Sequence, residues 1–513
     1  MRNALIIVML VSAFALRAVP LFADETGDAV AVLKADASSD DERAAACASL
    51  GEIGGTKAQK ALLDFLQANK QTGPMDEVVS IALADSLAAI GGAPVEKTLV
   101  ALLSESTDFD KDNWVLVGSR ALGAMKSAKA VKPLVAALRL DVWSDGIYES
   151  IAHALEQIGD RTAAAGIASA LKPVAGSRHF ISARERAALL HALGNLGTTA
   201  SVKAVLPSLR DPSASVRETA LAALTDLGWA AKTDDEKMWG ALAEKDWDAL
   251  AVAGMRAVPA LIVALNDDRT AETARKMLVS LGAPAIAPLI AATAGLAESG
   301  PSDPTPVFAA ALAAFGPPAF DPLIAALKNT DRSTRSTVME ALGLLKDGRA
   351  APAIAKLMAK ELNKDVTMEA GAALGQLGEA GAEPLYALLS GRDEQARYWA
   401  AFAFNAGTSA SEQRVIDIGH ASKDRDVRGA CAWVLEGIGS DTARAVSAEL
   451  LGSDPAKVTE KDLDSTRTWL MLAVLQRSTD SSVADTFLNS SNTKLQAAAE
   501  LWATWHGYRI LRY

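Results

Sequence analysis

The sequence predicts an all-α fold, an α-solenoid of about thirteen or fourteen stacked helical hairpins. Three observations predict it. An apolar residue followed by glycine recurs about every 30–37 residues, at Ile53, Ile90, Ile158, Leu196, Leu227, Leu281, Phe315, Leu377 and Ile438. Met125, Leu345 and Leu475 keep the beat without the glycine. A run related to Pro-Leu-Ile-Ala-Ala-Leu falls between the beats, at Pro133–Leu138, Pro259–Leu265, Pro288–Ala292, Pro322–Leu327, Pro352–Leu357 and Pro384–Leu389. Finally, 50% of the residues are hydrophobic but only 5% are aromatic. Small side chains let helix axes approach to roughly 8–10 Å, which suits stacked hairpins better than one large core.

Each repeat reads as two helices. The first is clearest at 211–228, where Asp211 or Ser213 can cap the start and Pro212 is tolerated in a first turn. Val216, Ala220, Ala223, Leu224 and Leu227 then recur at helical spacing as one apolar stripe. Gly228 can take the left-handed conformation that ends the helix. The same frame returns at Asp331, Arg335, Ala341, Leu342 and Leu345, and at Asp424, Val427, Arg428, Ala432, Leu435 and Ile438. The proline run is the second helix, with proline where no backbone hydrogen bond is lost. A hairpin this small has two faces to bury and covers one on each neighbour.

These residues resemble the HEAT repeat, in its short form named for phycobilisome lyases. The matching pattern is Asp-x-x-Val-Arg, then Ala-Leu-x-x-Leu-Gly, then Ala-x-x-Pro-Leu-Ile-x-x-Leu, and 281–293 fits it well. The resemblance covers roughly residues 28–510 and implies an armadillo/HEAT-type superhelix. It says little about function, because such repeats occur in lyase subunits, hydroxylases and pure scaffolds.

Residues 1–23 are expected to be a signal peptide. Arg2 precedes an apolar run, Ala4–Leu16, and a cut after Ala23 is plausible. The mature chain is then read as 24–228, an N-terminal sub-solenoid, and 229–513, a C-terminal one. The second opens on an irregular joint at 229–255 carrying Trp229, Trp239 and Trp247, and ends in a Trp-rich cap at Trp469, Trp502 and Trp505. No transmembrane span is expected after the signal. Cys47 and Cys431 occupy equivalent places in distant repeats, too far apart for the ~7 Å reach of a disulfide. The net charge of -11 argues against a nucleic-acid partner.

No catalytic signature emerges, and the chain is read as a non-enzyme without cofactor. HEAT-type hydroxylases hold iron through His-Glu pairs, whereas His153, His179, His191, His420 and His506 are followed by Ala, Phe, Ala, Ala and Gly. Asp108, Asp110 and Asp112 alternate as calcium ligands can, but the glycine and glutamate of an EF-hand loop are missing. The expected activity is therefore binding. Long connections at 69–76, 107–113, 140–146 and 174–182 carry or flank Phe109, Trp114, Trp143, Tyr148, Arg178, His179, Phe180 and Arg184. Aromatic and arginine side chains dominate binding hot spots. This edge, continuing into a groove along the second helices, is the expected docking site for a protein or peptide. The function expected is a non-catalytic, extracytoplasmic (periplasmic or secreted) scaffold. The alternatives are an accessory subunit of an enzyme, lyase-type or other, and a cell-wall or carbohydrate-binding solenoid.

Overall fold

Asp or Ser at the start of a repeat, and glycine at the turn between its helices, set the local structure. Ser39 and Ser182 close capping boxes with Glu42 and Glu185, and Asp76, Asp331 and Asp424 accept from backbone N–H groups of the first turn. Asp211 does not cap. The helix there starts after Ser213, and the Asp211 carboxylate instead holds Arg186 at 2.7 Å. At the other end Gly91, Gly159, Gly228 and Gly439 take φ between 61° and 77°. Where the beat lacks glycine, Lys126 and Lys346 are forced into the same region, at φ 52° and 55°. A side chain there costs roughly 1 kcal/mol, so Lys126→Gly and Lys346→Gly should each stabilise the protein by about 0.5–1 kcal/mol. Urea unfolding of the two variants checks this.

The computed structural model describes residues 25–69, 75–105, 112–138, 146–172, 181–296, 305–360, 364–405, 408–451 and 481–510, with a few positions between 468 and 476. The described residues are helical repeats without strand. They form two compact units, Met1–Asp246 and Trp247–Tyr513.

In the first unit α1 (Glu25–Lys34) precedes the pairs α2 (Asp40–Ile53) and α3 (Gly55–Asn69), α4 (Glu77–Ile90) and α5 (Ala93–Glu105), α6 (Asp112–Ala124) and α7 (Val131–Ala137), α8 (Ile147–Ile158) and α9 (Ala164–Ala170), α10 (Ala183–Leu196) and α11 (Val202–Val205), and α12 (Ala214–Asp226) and α13 (Asp234–Glu244). The second unit holds α14 (Trp247–Ala253) and α15 (Val258–Ala264), α16 (Ala271–Leu281) and α17 (Ile286–Ala291), α18 (Thr305–Ala313) and α19 (Phe320–Ala326), α20 (Arg332–Leu345) and α21 (Ala351–Met358), α22 (Lys364–Gln376) and α23 (Glu379–Leu389), α24 (Glu394–Asn405) and α25 (Glu412–Ala421), and α26 (Arg425–Ile438) and α27 (Asp441–Leu451). It closes on α28 (Ser481–Leu488) and α29 (Thr493–Trp505). Even numbers from α2 to α26 are first helices of a repeat, and odd numbers from α3 to α27 are second helices.

First helices stack on first helices, in the order α2, α4, α6, α8, α10, α12 in one unit and α18, α20, α22, α24, α26 in the other. Glycine and alanine make this layer close-packed. A Cβ on Gly123 would lie 2.7 Å from the Ala154 Cα, and one on Gly194 3.0 Å from that of Ala223. In the second unit Gly343 meets Ala373 at 3.0 Å in the same way. Second helices often open on a 3-10 turn, such as Ala128–Ala130, Ala283–Ala285 or Gly348–Ala350, and proline follows within the first helical turn. By length and composition Trp247–Ala264 would pass for a membrane span. In the fold it is α14 and α15 separated by a 3-10 turn, with Leu250, Val258, Leu261 and Ala264 buried among the repeats.

The arginine near the start of the first helix has a structural role, although among Arg43, Arg186, Arg217, Arg335 and Arg397 only Arg217 follows a valine. The arginine side chain folds back and donates to carbonyls of the preceding turn: Arg43 to Ala35 and Asp36, Arg186 to Ile181, Arg217 to Asp211 and Pro212, Arg335 to Asn329 and Thr330, and Arg397 to Gly391. It thus closes the connection between repeats and satisfies carbonyls that no helix uses.

Both cysteines are free and buried. Burial pushes each thiol up to about 12, so both stay protonated at pH 8 and are poor nucleophiles. A thiol reagent at pH 8 should leave the native protein unmodified and label two sites once it is unfolded.

Candidate functional site

The first-helix layer of the first unit carries a groove. Counted five residues before each beat residue, one position per repeat points into it: Asp85 before Ile90, Arg120 before Met125, His153 before Ile158, and His191 before Leu196. The residue one helical turn earlier completes the lining, with Ile81, Leu116, Glu149 and Ala187. Two adjoining cavities of about 890 Å³ and 800 Å³ follow these positions along α4, α6, α8, α10 and α12.

Polar side chains cross the groove from helix to helix. Arg120 makes a two-pronged pair with Asp85, at 2.6 and 2.9 Å, and this hydrogen bonding holds the guanidinium above its ordinary value. Arg184 reaches Glu149 at 2.7 Å, and His191 Nδ1 lies 2.8 Å from Glu156, which also accepts from Asn195. His153 and Gln157 are joined at 2.9 Å on α8. The arginines are well exposed, so these pairs contribute little to stability. They leave a polar surface exposed along the groove.

Beneath it sits Glu185, fully buried on α10. Its Oε1 accepts from the backbone N–H groups of Gly146 and Tyr148 at 3.1 and 3.2 Å, and its Oε2 from Ser182 N and Oγ, both at 3.0 Å. One carboxylate therefore fastens the start of α8 to the start of α10 and places Glu149 opposite Arg184.

The residues singled out from sequence divide into three groups. Arg184 lines the groove and is exposed. Trp114 and Tyr148 are core residues of α6 and α8, exposed by only 1% and 5%. Phe109, Trp143, Arg178, His179 and Phe180 lie outside the described residues, as do Asp108 and Asp110, while Asp112 is the first residue of α6. This groove runs along the first helices, whereas the expected one lay along the second helices; a separate cavity of about 730 Å³ is lined by Lys57, Ala61 and Phe65 of α3. The expectation weighted aromatic loop residues and passed over the polar position that recurs five residues ahead of each beat.

Such a molecule is an α-helical repeat protein, whose usable surface is the face its stacked helices share. Its repeats are similar to HEAT repeats, in the form found in phycobilisome lyase subunits. A HEAT repeats model matches residues 296–375. Phycocyanobilin lyase subunit alpha of Picosynechococcus sp. is 34% identical over 140 residues. That stretch is 25% of this chain and half the length of that relative. The complex of CpcE and CpcF of phycocyanin lyase from Nostoc sp. PCC7120 is 16% identical, with a TM-score of 0.27 over 73% of this chain and 96% of that one. The Kap95p–RanGDP structure is 13% identical, with a TM-score of 0.37 over 94% of this chain and 65% of that one.

The similarity to a lyase subunit overturns the reading of the chain as a non-enzyme. That reading rested on the absence of a nucleophile, metal or phosphate motif within one chain. Such motifs are blind to a subunit whose chemistry needs a second chain.

Proposed function

We propose that this protein is a protein-binding subunit of a lyase-type assembly, receiving its partner in the first-helix groove of the first unit. The groove carries the reading: Asp85, Arg120, Glu149, Arg184, Glu156 and His191 form a continuous line of oriented polar groups across successive helices. A pre-organised surface loses little conformational freedom on binding. The named role of the 34%-identical relative as a lyase subunit supports the enzyme context. The carbohydrate-binding alternative requires a row of exposed aromatic rings. Trp114, Trp239, Trp399, Trp433 and Trp502 are buried, and the large aromatic rings exposed among the described residues, Trp505 and Tyr508, lie at and just beyond the end of the last helix and not in a row along the repeats.

Arg120→Glu with Arg184→Glu tests the reading, because both side chains are exposed and the fold should survive. The double variant is expected to lose at least 90% of a stoichiometric protein partner that wild type retains from a native extract. Retention of the same partner at the same stoichiometry would reject the groove. We further propose that the chain is exported, on the strength of the Arg2 and Ala4–Leu16 pattern. The mass of the protein isolated from its host should then correspond to a chain starting near Asp24, and an intact Met1 would overturn it.

A further inference from the structure

The cavity of about 730 Å³ opens where α1 packs on α3, as one second helix on the next. Second helices here share a buried Ala-x-x-x-Leu or Ala-x-x-x-Ile pair: Ala29 and Leu33 in α1, Ala58 and Leu62 in α3, Ala130 and Leu134 opening α7, and Ala163 and Ile167 opening α9. Where α7 meets α9, the residue after Leu134 packs on the residue before Ile167. A Cβ on Gly166 would overlap the Val135 side chain, so that junction is closed. By the same count the α1–α3 junction has Lys34 and Ala61 in these two places, and both line the cavity. Lys34 is exposed and Ala61 half-buried, so the space between them is reached from solvent.

The lining joins an apolar floor to an excess of cations. Leu33 and Phe65 form the floor, with half-buried Val30 and Ala61 above it. Lys34, Arg43, Lys57 and Lys60 stand around it against Asp36 and Asp64, in a chain with 62 acidic and 51 basic residues. Lys60 is paired with Asp64 at 2.7 Å, and Arg43 with Asp40 at 3.4 Å and with the carbonyls of Ala35 and Asp36. Lys34 and Lys57 have no ion-pair partner among the described residues. Lys57 lies one turn before Ala61 on the same face of α3, and Lys34 faces Ala61 across the junction. A volume of this size falls within the roughly 300–1,000 Å³ of small-molecule sites, which combine an apolar lining with a few polar groups that fix orientation. The walls are helical, and their backbone groups are spent within the helices. They offer a peptide main chain nothing to pair with, which favours a ligand whose one polar group is an anionic end.

We propose that this cavity binds a single-chain fatty carboxylate, its head group held by Lys34 and Lys57 beside Ala61 and its tail lying over Val30, Phe65 and Ala68. From Ala61 to Ala68 the helix rises about 10 Å, at 1.5 Å per residue, which suits a tail of medium length. The cavity shares no lining residue with the polar groove, so either reading can fail without the other.

The test is calorimetric titration of the full chain with three probes. These are decanoate, decyltrimethylammonium (the same tail on a cationic head) and an octapeptide alternating leucine with aspartate. Decanoate should bind at one site, and the cationic amphiphile should be weaker by about ten-fold or more. Lys34→Glu with Lys57→Glu, at two exposed positions, should weaken decanoate by about ten-fold and leave the thermal midpoint within about 2 °C. Ala61→Leu, which fills the junction as Val135 fills the one between α7 and α9, should abolish decanoate binding and leave the midpoint unchanged or higher. Loss of binding without loss of stability is the signature of a site. Equal binding of the two amphiphiles, full affinity in the lysine variant, or tighter binding of the peptide than of decanoate would overturn the proposal. So would a failure of decanoate to bind, which would leave the partner of the polar groove unaffected.

Discussion

Replacing Arg217 by methionine is expected to destabilise the first unit by about 3–5 kcal/mol. The side chain is fully buried, and its Nη1 donates to the carbonyls of Asp211 and Pro212, both at 2.8 Å. Methionine fills much of the volume but leaves those carbonyls without this donor, so the loss reports hydrogen bonding more than packing. Arg335 is an internal control. It makes the same fold-back to Asn329 and Thr330 at an exposed site, where water can replace the guanidinium. Arg335→Met should cost only about 1 kcal/mol. Urea titration followed by circular dichroism measures both, and equal losses would contradict the role given to burial.

Glu185→Ala is the second large effect, expected at about 2–4 kcal/mol. The carboxylate accepts from two backbone N–H groups of the 146–148 segment and from both donor groups of Ser182. Its removal strands buried donors on α8 and opens the capping box of α10. Glu185→Gln keeps one acceptor oxygen and should cost about half as much. The local signature is faster amide exchange at Tyr148 than at Leu224 on α12. If the two sites change together, Glu185 is not the fastening proposed here.

Most of the fold could be read from the sequence because every repeat writes the same local rules. The beat glycines mark left-handed helix ends, the proline runs mark second helices, and the Asp-x-x-Val-Arg frame marks the start of a first helix. Two signals were present but unread. Glycines such as Gly123 and Gly194, two residues before the beat, mark where the next helix crosses. The position five residues before the beat marks the groove. Two residues of the expected edge fall in the core because aromatic residues in or beside long connections look exposed in one dimension. Trp114 and Tyr148 instead begin helices whose apolar stripe continues through them into the core. Glu185 was also missed: its capping-box spacing to Ser182 was visible, but its contacts to residues 146 and 148 are set by tertiary packing. A lyase-type accessory subunit is among the alternatives that the repeat pattern raises, and the similarity to a lyase subunit bears on it over 140 residues.

Hydrogen-exchange mass spectrometry of wild type and Arg217→Met tests the central claim that each hairpin gains its dry interior from its neighbours. Stability in such an array is close to a sum of repeat and nearest-neighbour terms. Protection should therefore fall most in α10 to α13, less in α8, and not at all in α24 to α27. A uniform loss across all helices would show one undivided cooperative core and contradict the account.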